Sequence, residues 1–326
     1  MPTPNAPISM LRPDIGDAFS EFDIDGNAGE LIGYRVLPIF DVQLQRGTYP
    51  VIPVEDILQA SKTARSNRSG YNMIDIGFED APYVCREHGL SSPVDDRLAM
   101  IYQNLFEQEL ETTRIVRHRV LIEAEKRVAA KVFDPAAFNT TAVTNEWDKN
   151  HISDATPMRD VQAAKESVYA RTGVWPNALI INRQVFQNLR LLDEIVDAIQ
   201  SSGAGHATKL RDITADMLAQ VFDLDMVLVA GGTQNLSNEG QAFSPGHVWS
   251  GDFAMVASVA TSSAFSEVAI GRTLHWSEDG SEAGTTVETY RNEDLRRTVV
   301  RVRHDVDERL IYTDAGQLLT NVTTAA

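Results

Sequence analysis

The residues able to do chemistry in this chain of 326 are few and scattered. Cys85, the single cysteine, stands beside Arg86, whose charge could lower a thiol pKa; the expectation for a lone cysteine is an unreactive, half-buried thiol. His304-Asp305 and His275 are the residue types of a carboxylate-assisted base, but no nucleophile stands near them to complete a triad. His118, between Arg117 and Arg119, reads as a solvated helix residue. Asp23-Ile24-Asp25-Gly26-Asn27 imitates the opening of a calcium loop, yet Ala28 replaces the glycine of the turn and Tyr34 the bidentate glutamate, so a plain Asp/Gly turn is expected. Gly203-Ala204-Gly205 approaches a dinucleotide fingerprint but follows a helix rather than a strand, and reads as a loop. There is no G-x-x-x-x-G-K-S/T, G-x-S-x-G, H-E-x-x-H or C-x-x-C. No catalytic, cofactor-binding or metal-ligating residue is assigned, and no cofactor is expected.

Composition narrows the class. With 46 acidic against 29 basic residues the formal charge is -17, which argues against wrapping nucleic acid by broad phosphate neutralisation. Arg114, Arg117 and Arg119, with Lys126 and Arg127, still form a local basic strip. Its plain reading is a solvated face paired with Glu111 and Glu123; the sharper one is salt bridges between subunits. A hydrophobic content of 43% fits a folded chain with a sizeable core, in two domains or one elaborated one. One cysteine fits a reducing cytoplasm. Met1 to Asp14 does not read as a secretion signal, and no apolar run is long enough for a spanning helix, so no membrane partner is expected.

The longest element predicted is a helix from Ser92 to Asp134, with Ser92 as cap, Pro93 at the first position and Asp95 and Asp96 facing the dipole. From Pro93 to Phe133 it would run about 60 Å at 1.5 Å per residue. Tyr102, Phe106 and Leu110, then Val120, Ala124, Val128 and Val132, recur every fourth residue as one drifting stripe, and Glu123 and Arg127 are an expected i,i+4 pair. Ahead of this spine, residues 1 to about 30 read as an extended or mobile arm. Tyr34 to Leu44 and Val51 to Val54 are strand-like, Ser61 to Gly70 is a small, basic loop tip, and Tyr71 to Ile76 can return as the second limb of a long hairpin. A lone hairpin is marginal in water, so its partner is expected on another chain.

Beyond the spine, Asn139 to Asn145 is a polar connection, and a helix near Pro157–Arg171 stops at Thr172-Gly173. Ala178–Ile181 is a buried strand followed by a helix capped by Asn182; Thr214 caps another helix that leads to a second buried strand, Met226–Val229. Ser201–His206 and Thr233–Pro245 read as exposed loops. Glu278–Glu282 is an acidic turn, and Thr298–His304 is a strand with Arg309–Tyr312 as its partner.

This order of parts resembles the major capsid proteins of tailed bacteriophages. The stretches that carry it are Tyr83-Val84-Cys85 through Gly89 to Asp96, Glu125-Lys126-Arg127-Val128-Ala129, Trp147-Asp148, Trp175-Pro176-Asn177-Ala178-Leu179-Ile180-Ile181, Val185-Phe186 with Leu191 to Ile199, and Thr214 to Leu224 running into Val227-Leu228-Val229-Ala230-Gly231-Gly232. The likeness spans residues 31 to 320 and lies in order more than in any short motif.

The resemblance implies an α+β phage major-capsid fold: an N-terminal arm (1–33), an extended β-hairpin E-loop (34–92), a P-domain with the spine helix (93–175), an α/β A-domain (176–284) and P-domain return strands (285–326). It implies a shell subunit without an active site, forming hexamers and pentamers of an icosahedral head that encloses double-stranded DNA without sequence-specific binding. The implied partners are other copies of itself, a portal, a decoration protein and, since only about 30 residues precede the likeness, either a separate scaffolding protein or an N-terminal arm that lashes subunits together. The implied location is the virion, assembled in the host cytoplasm. The inter-subunit candidates are Lys62, Arg65, Arg68 and Tyr71 on the E-loop, Arg114 and Arg117 on the spine, and Gly203, Gly205, Asn235 and Asn238 in the axial loops. Lys62 sits where some relatives carry a cross-linking lysine; a solvated lysine is the expectation here. Two alternatives remain: an encapsulin-like compartment with the same fold, and an α/β enzyme with its site at the ends of strands 178–181 and 226–229.

Overall fold

The structure is a computed structural model that describes residues 10–11, 31–61, 63–65, 67, 70–75, 77–102, 108–201, 213–238, 240–262, 265, 267–277, 280 and 286–324. In chain order come β1 (Met10–Leu11), α1 (Gly33–Val36), β2 (Ile39–Val42), β3 (Arg46–Val51), α2 (Val54–Leu58), β4 (Glu79–Val84), β5 (Arg86–Asp95), α3 (Asp96–Tyr102) and α4 (Gln108–Val132). Then follow β6 (Asn139–Ala142), α5 (Pro157–Thr172), β7 (Ala178–Asn182), α6 (Arg183–Leu189), α7 (Asp193–Ser201), α8 (Ala215–Phe222) and β8 (Met226–Ala230). The chain closes with β9 (Thr233–Asn235), β10 (Pro245–His247), β11 (Phe253–Ala257), β12 (Gly271–Trp276), β13 (Thr286–Asn292), β14 (Arg297–Leu310) and β15 (Gly316–Thr320).

Two sheets dominate. The first has the order β1-β13-β14-β12-β2, with β5 also paired to β14. β14 is its rail: β13 and then β12 lie along one edge, and β5 runs antiparallel along the other, from Arg297↔Asp95 to Val306↔Arg86. The second sheet has the order β6-β15-β11-β7-β8; its strands β15, β11 and β7 are buried on both faces, whereas the edge strand β6 is exposed. Strand alternation sends Leu179 and Ile181 to one core and Ala178 and Ile180 to the other, which is why the sequence there is apolar without a break. Helix α4 joins the two sheets. Val116 and Val120 pack on Val94, Val287, Val300 and Val302 of the first, whereas Val128 and Val132 enter the core shared with Ile180, Met255 and Leu318 of the second.

Several expectations change. Ser92 and Pro93 lie in β5, with Pro93 opposite Val299, because the register against β14 takes these residues into the ladder. The helix starts instead at Asp96, and Asp95 is its cap: Oδ1 accepts from the amides of Arg97 at 2.9 Å and Leu98 at 3.3 Å. The described helix α4 has 25 residues, about 37 Å of the length expected for the spine; residues 103–107, with Phe106 of the stripe, lie outside the described residues. Glu123 pairs with Lys126 rather than Arg127, which turns inward to Glu308.

Tyr34–Val36 is a helical turn and not strand, since the Glu125 carboxylate takes up the amides of Ile32 and Gly33 at its start. The returning hairpin limb is Glu79–Val84 and not Tyr71–Ile76, pairing with β3 from Arg46↔Val84 to Val51↔Glu79. Within Asn139–Asn145, read as a connection, Asn139–Ala142 is a parallel edge strand on β15, and Thr233–Pro245, read as a loop, holds β9 and the start of β10, which pair as a hairpin. Arg309 and Leu310 continue β14; the neighbouring strand over 297–303 is β13. The helix stop at Gly173, with φ of 69° in the left-handed region, and the caps at Asn182 and Thr214 stand as expected.

Candidate interaction surface

Because α4 lies between the two sheets, grooves open on both of its sides. The first, of about 700 Å³, runs between α4 and α1 and is lined by Leu31, Ile115, Leu121 and Val128 with Arg35, Arg114, Arg117 and Arg119. The second, of about 680 Å³, runs between α4, β5 and the β9–β10 hairpin, with Leu90, Ile122 and Phe243 beside His88, Lys126 and Asn235. His118 and Arg119 line both. The local basic strip read from the sequence therefore rims two apolar grooves on a chain that is otherwise strongly acidic.

Arg127, on the wall of the second groove, belongs to one of several charged pairs that tie the sheet to the helices. Glu308 is held by Arg127 at 2.9 Å and Lys131 at 3.6 Å, and its own carbonyl also accepts from Lys131. Burial alone would raise the Glu308 pKa, but the Arg127 hydrogen bond and the two cations outweigh it, leaving the carboxyl below its usual range. The same contest ends the same way at Glu288, where burial is outweighed by Arg301 and Arg303. Asp96 takes a bidentate pair from Arg291 at 2.5 and 2.6 Å, which ties the start of α3 to β13. His88 lies 6.0 Å from the His304 ring; burial, then the Arg127 charge, lower its pKa.

The expected contact residues fall in different places. The Arg65 guanidinium sits 4.7 Å over the Tyr71 ring, so these two meet on the excursion. Arg114 lies 3.9 Å from Glu111 and, with Arg117, lines the first groove. Asn235 lines the second, and its Oδ1 accepts from the amides of Ser237 and Ser244, both at 3.1 Å, shaping the hairpin tip. The carbonyl of Asn238, at the same tip, accepts from the Gln241 amide at 3.1 Å. Lys62, Arg68, Gly203 and Gly205 lie outside the described residues.

The candidates for chemistry are held in structural roles. His275 Nδ1 is 2.8 Å from Asp41 Oδ1, His304 is fully buried 3.5 Å from Arg127, and Cys85 is buried at 1% exposure rather than half-buried. Burial pushes the Cys85 thiol up to about 12. Among the described residues no group of three or more His, Cys, Asp or Glu could hold a metal ion. No described helix is long and apolar enough to cross a membrane.

Glu125, which the sequence offers only as part of the run Glu125–Ala129, is a buried junction: it accepts from the Ile32 amide at 2.9 Å, the Gly33 amide at 2.7 Å and the Trp249 indole at 2.6 Å. The available signal was its place beside Ala124 on the apolar stripe, where a charged residue needs partners.

No protein-family model matches the sequence. Over 206 residues, 61% of the chain, it is 23% identical to the major capsid protein of Burkholderia phage BcepMu, and the match spans 63% of that relative's length. A phage-related protein from Bordetella bronchiseptica RB50 matches with a TM-score of 0.69 at 20% identity, over 98% of this chain and 100% of that one. The capsid of cyanophage P-SCSP1u matches with a TM-score of 0.59 at 9% identity, over 87% of this chain and 86% of that one. The fold of this chain, α+β with a projecting hairpin and a helix bridging two sheets, is the fold of the tailed-phage major capsid proteins.

Proposed function

We propose that this chain is the major capsid protein of a tailed phage, a shell subunit without an active site. In this reading it assembles into hexamers and pentamers of a head that encloses double-stranded DNA, with a scaffolding protein, a portal and a decoration protein as partners, and is assembled in the host cytoplasm. The observation that carries the proposal is the apolar surface of the excursion: Met73 is 97%, Ile74 65% and Phe78 64% exposed. Side chains of this kind, on a hairpin of two six-residue strands, are a liability in a monomer and become buried area when copies overlap. The sequence likeness to a capsid protein supports the same reading.

The proposed division follows the expected one: arm 1–33, E-loop 34–92, P-domain 93–175 with return strands 285–326, and A-domain 176–284. Under it Arg65 and Tyr71 touch a neighbouring copy through the E-loop, and Asn235 and Asn238 belong to the A-domain. Different elements on different sides suit heterologous contacts that close into rings.

Negative-stain microscopy of the purified chain tests the proposal. Closed shells with hexameric and pentameric units are the expected result. Monomers or small oligomers under all assembly conditions, together with turnover of a substrate, would overturn it; shells that carry an enzyme cargo would point to an encapsulin-like compartment instead.

A further inference from the structure

The groove between α4 and α1 is apolar and lined by four arginines, Arg35, Arg114, Arg117 and Arg119, against two carboxylates, Glu111 and Glu125, so it is net basic on a chain of net charge -17 and an acidic, partly apolar segment is what fits it. The chain carries such a segment. From Asp14 to Glu30 it has six acidic residues (Asp14, Asp17, Glu21, Asp23, Asp25 and Glu30), no basic one, and apolar side chains at Ile15, Phe19, Phe22 and Ile24. We propose that the groove along the spine helix is the docking site for this acidic stretch of the same chain.

The two flanking ends argue for an occupant from the same chain. At one end Leu11 pairs with Glu288 on β13, one residue from Val287, which packs against Val116 and Val120 of α4. At the other end Leu31 itself lines the groove, next to α1, whose start is bound by Glu125. The groove follows α4 from Glu111 to Val128, about 25 Å at the helical rise. Nineteen residues lie between Leu11 and Leu31, and the link could reach up to about 66 Å, so it is long enough to follow the groove between its own ends. The groove's lining supplies Arg114, Arg117 and Arg119 together with Ile115, which is half exposed. The inference stands apart from the shell reading.

The test is a disulfide trap in the full-length chain, carrying Phe19→Cys with Ile115→Cys and, to cover register, Phe22→Cys with Ile115→Cys. Cys85 is buried and does not compete. Under mild oxidation at least one pair should close within a single chain. Arg114→Glu with Arg117→Glu should slow closure about tenfold, and adding Asp17→Lys with Glu21→Lys should restore it. Circular dichroism confirms that each variant is folded, and maleimide labelling of the variants with one introduced cysteine confirms that each introduced thiol is reachable. Disulfides that join two chains would mean that a second copy's segment fills the groove. No disulfide in either pair, with both thiols reachable, would mean another occupant or none. A closure rate indifferent to charge reversal would remove the electrostatic basis. Each of these three results overturns the proposal.

Discussion

The Trp249 indole Nε1 donates to Glu125 Oε1 at 2.6 Å, joining the segment after β10 to the spine helix across 124 positions of sequence. The same carboxylate holds the amides of Ile32 and Gly33, so three segments meet on one side chain. Glu125→Ala leaves three buried donors without an acceptor and should cost about 3 kcal/mol or more in urea unfolding. A loss below about 1 kcal/mol would mean that water or another group replaces the carboxylate.

The pH dependence of this site runs opposite to that of the ion-paired acids. Burial raises the Glu125 pKa more than its hydrogen bonds lower it, so the native state binds its proton more tightly than the unfolded chain. Its contribution is therefore fully present below about pH 4.3, the unfolded value, and declines as pH rises through the native one. Glu125→Gln should remove that decline from the stability–pH curve.

Glu288 and Glu308 are depressed by their arginine and lysine partners despite burial, so their contribution is full above about pH 4.3 and is lost as pH falls through the native values. Glu288→Gln should flatten the acid limb of the denaturation midpoint between about pH 5 and pH 3. An unchanged limb would assign acid lability to other carboxyls.

Cys85 Sγ donates to the Leu274 carbonyl at 3.6 Å inside a cluster with Tyr49 and Tyr83, and its thiol is pushed up to about 12. At about pH 8 thiol reagents should leave the native protein unlabelled and modify one group per chain after denaturation. Fast native labelling would mean that the root of the hairpin opens.

Among the described residues, deleting 60–70 removes no member of the four buried clusters. The shortened chain should keep its helical signal and unfold within about 1 kcal/mol of the parent, whereas shell formation should be lost. Normal shells from that deletion would count against the E-loop assignment.

Local signals in the sequence were readable wherever the chain itself sets the structure. Gly173 stops a helix because only a residue tolerant of positive φ fits there, and the Ala178–Ile181 and Met226–Val229 runs are strands because both their faces are covered. Misreadings arose where a distant partner decides. Ser92-Pro93 has the chemistry of a helix start, but ten positions of ladder with β14 hold it as strand. Tyr34 lies in a β-like run, but Glu125, 91 positions away, binds the turn that makes it helical. The grooves were legible only as a list of cations; that Arg114 shares a wall with Leu31, and Lys126 with Phe243, follows from tertiary packing that spacing does not encode.

The ten-position ladder between β5 and β14 has a mechanical consequence. A neighbour tugging on the excursion pulls on the strand that roots it, and β5 lies flat along β14 instead of peeling from its end. A load along the strand axis is then shared by many hydrogen bonds in shear, whereas a load at right angles would break them one after another. Strain on the excursion would reach the β14 rail, and through it β12 and β13, before any single contact had to give way.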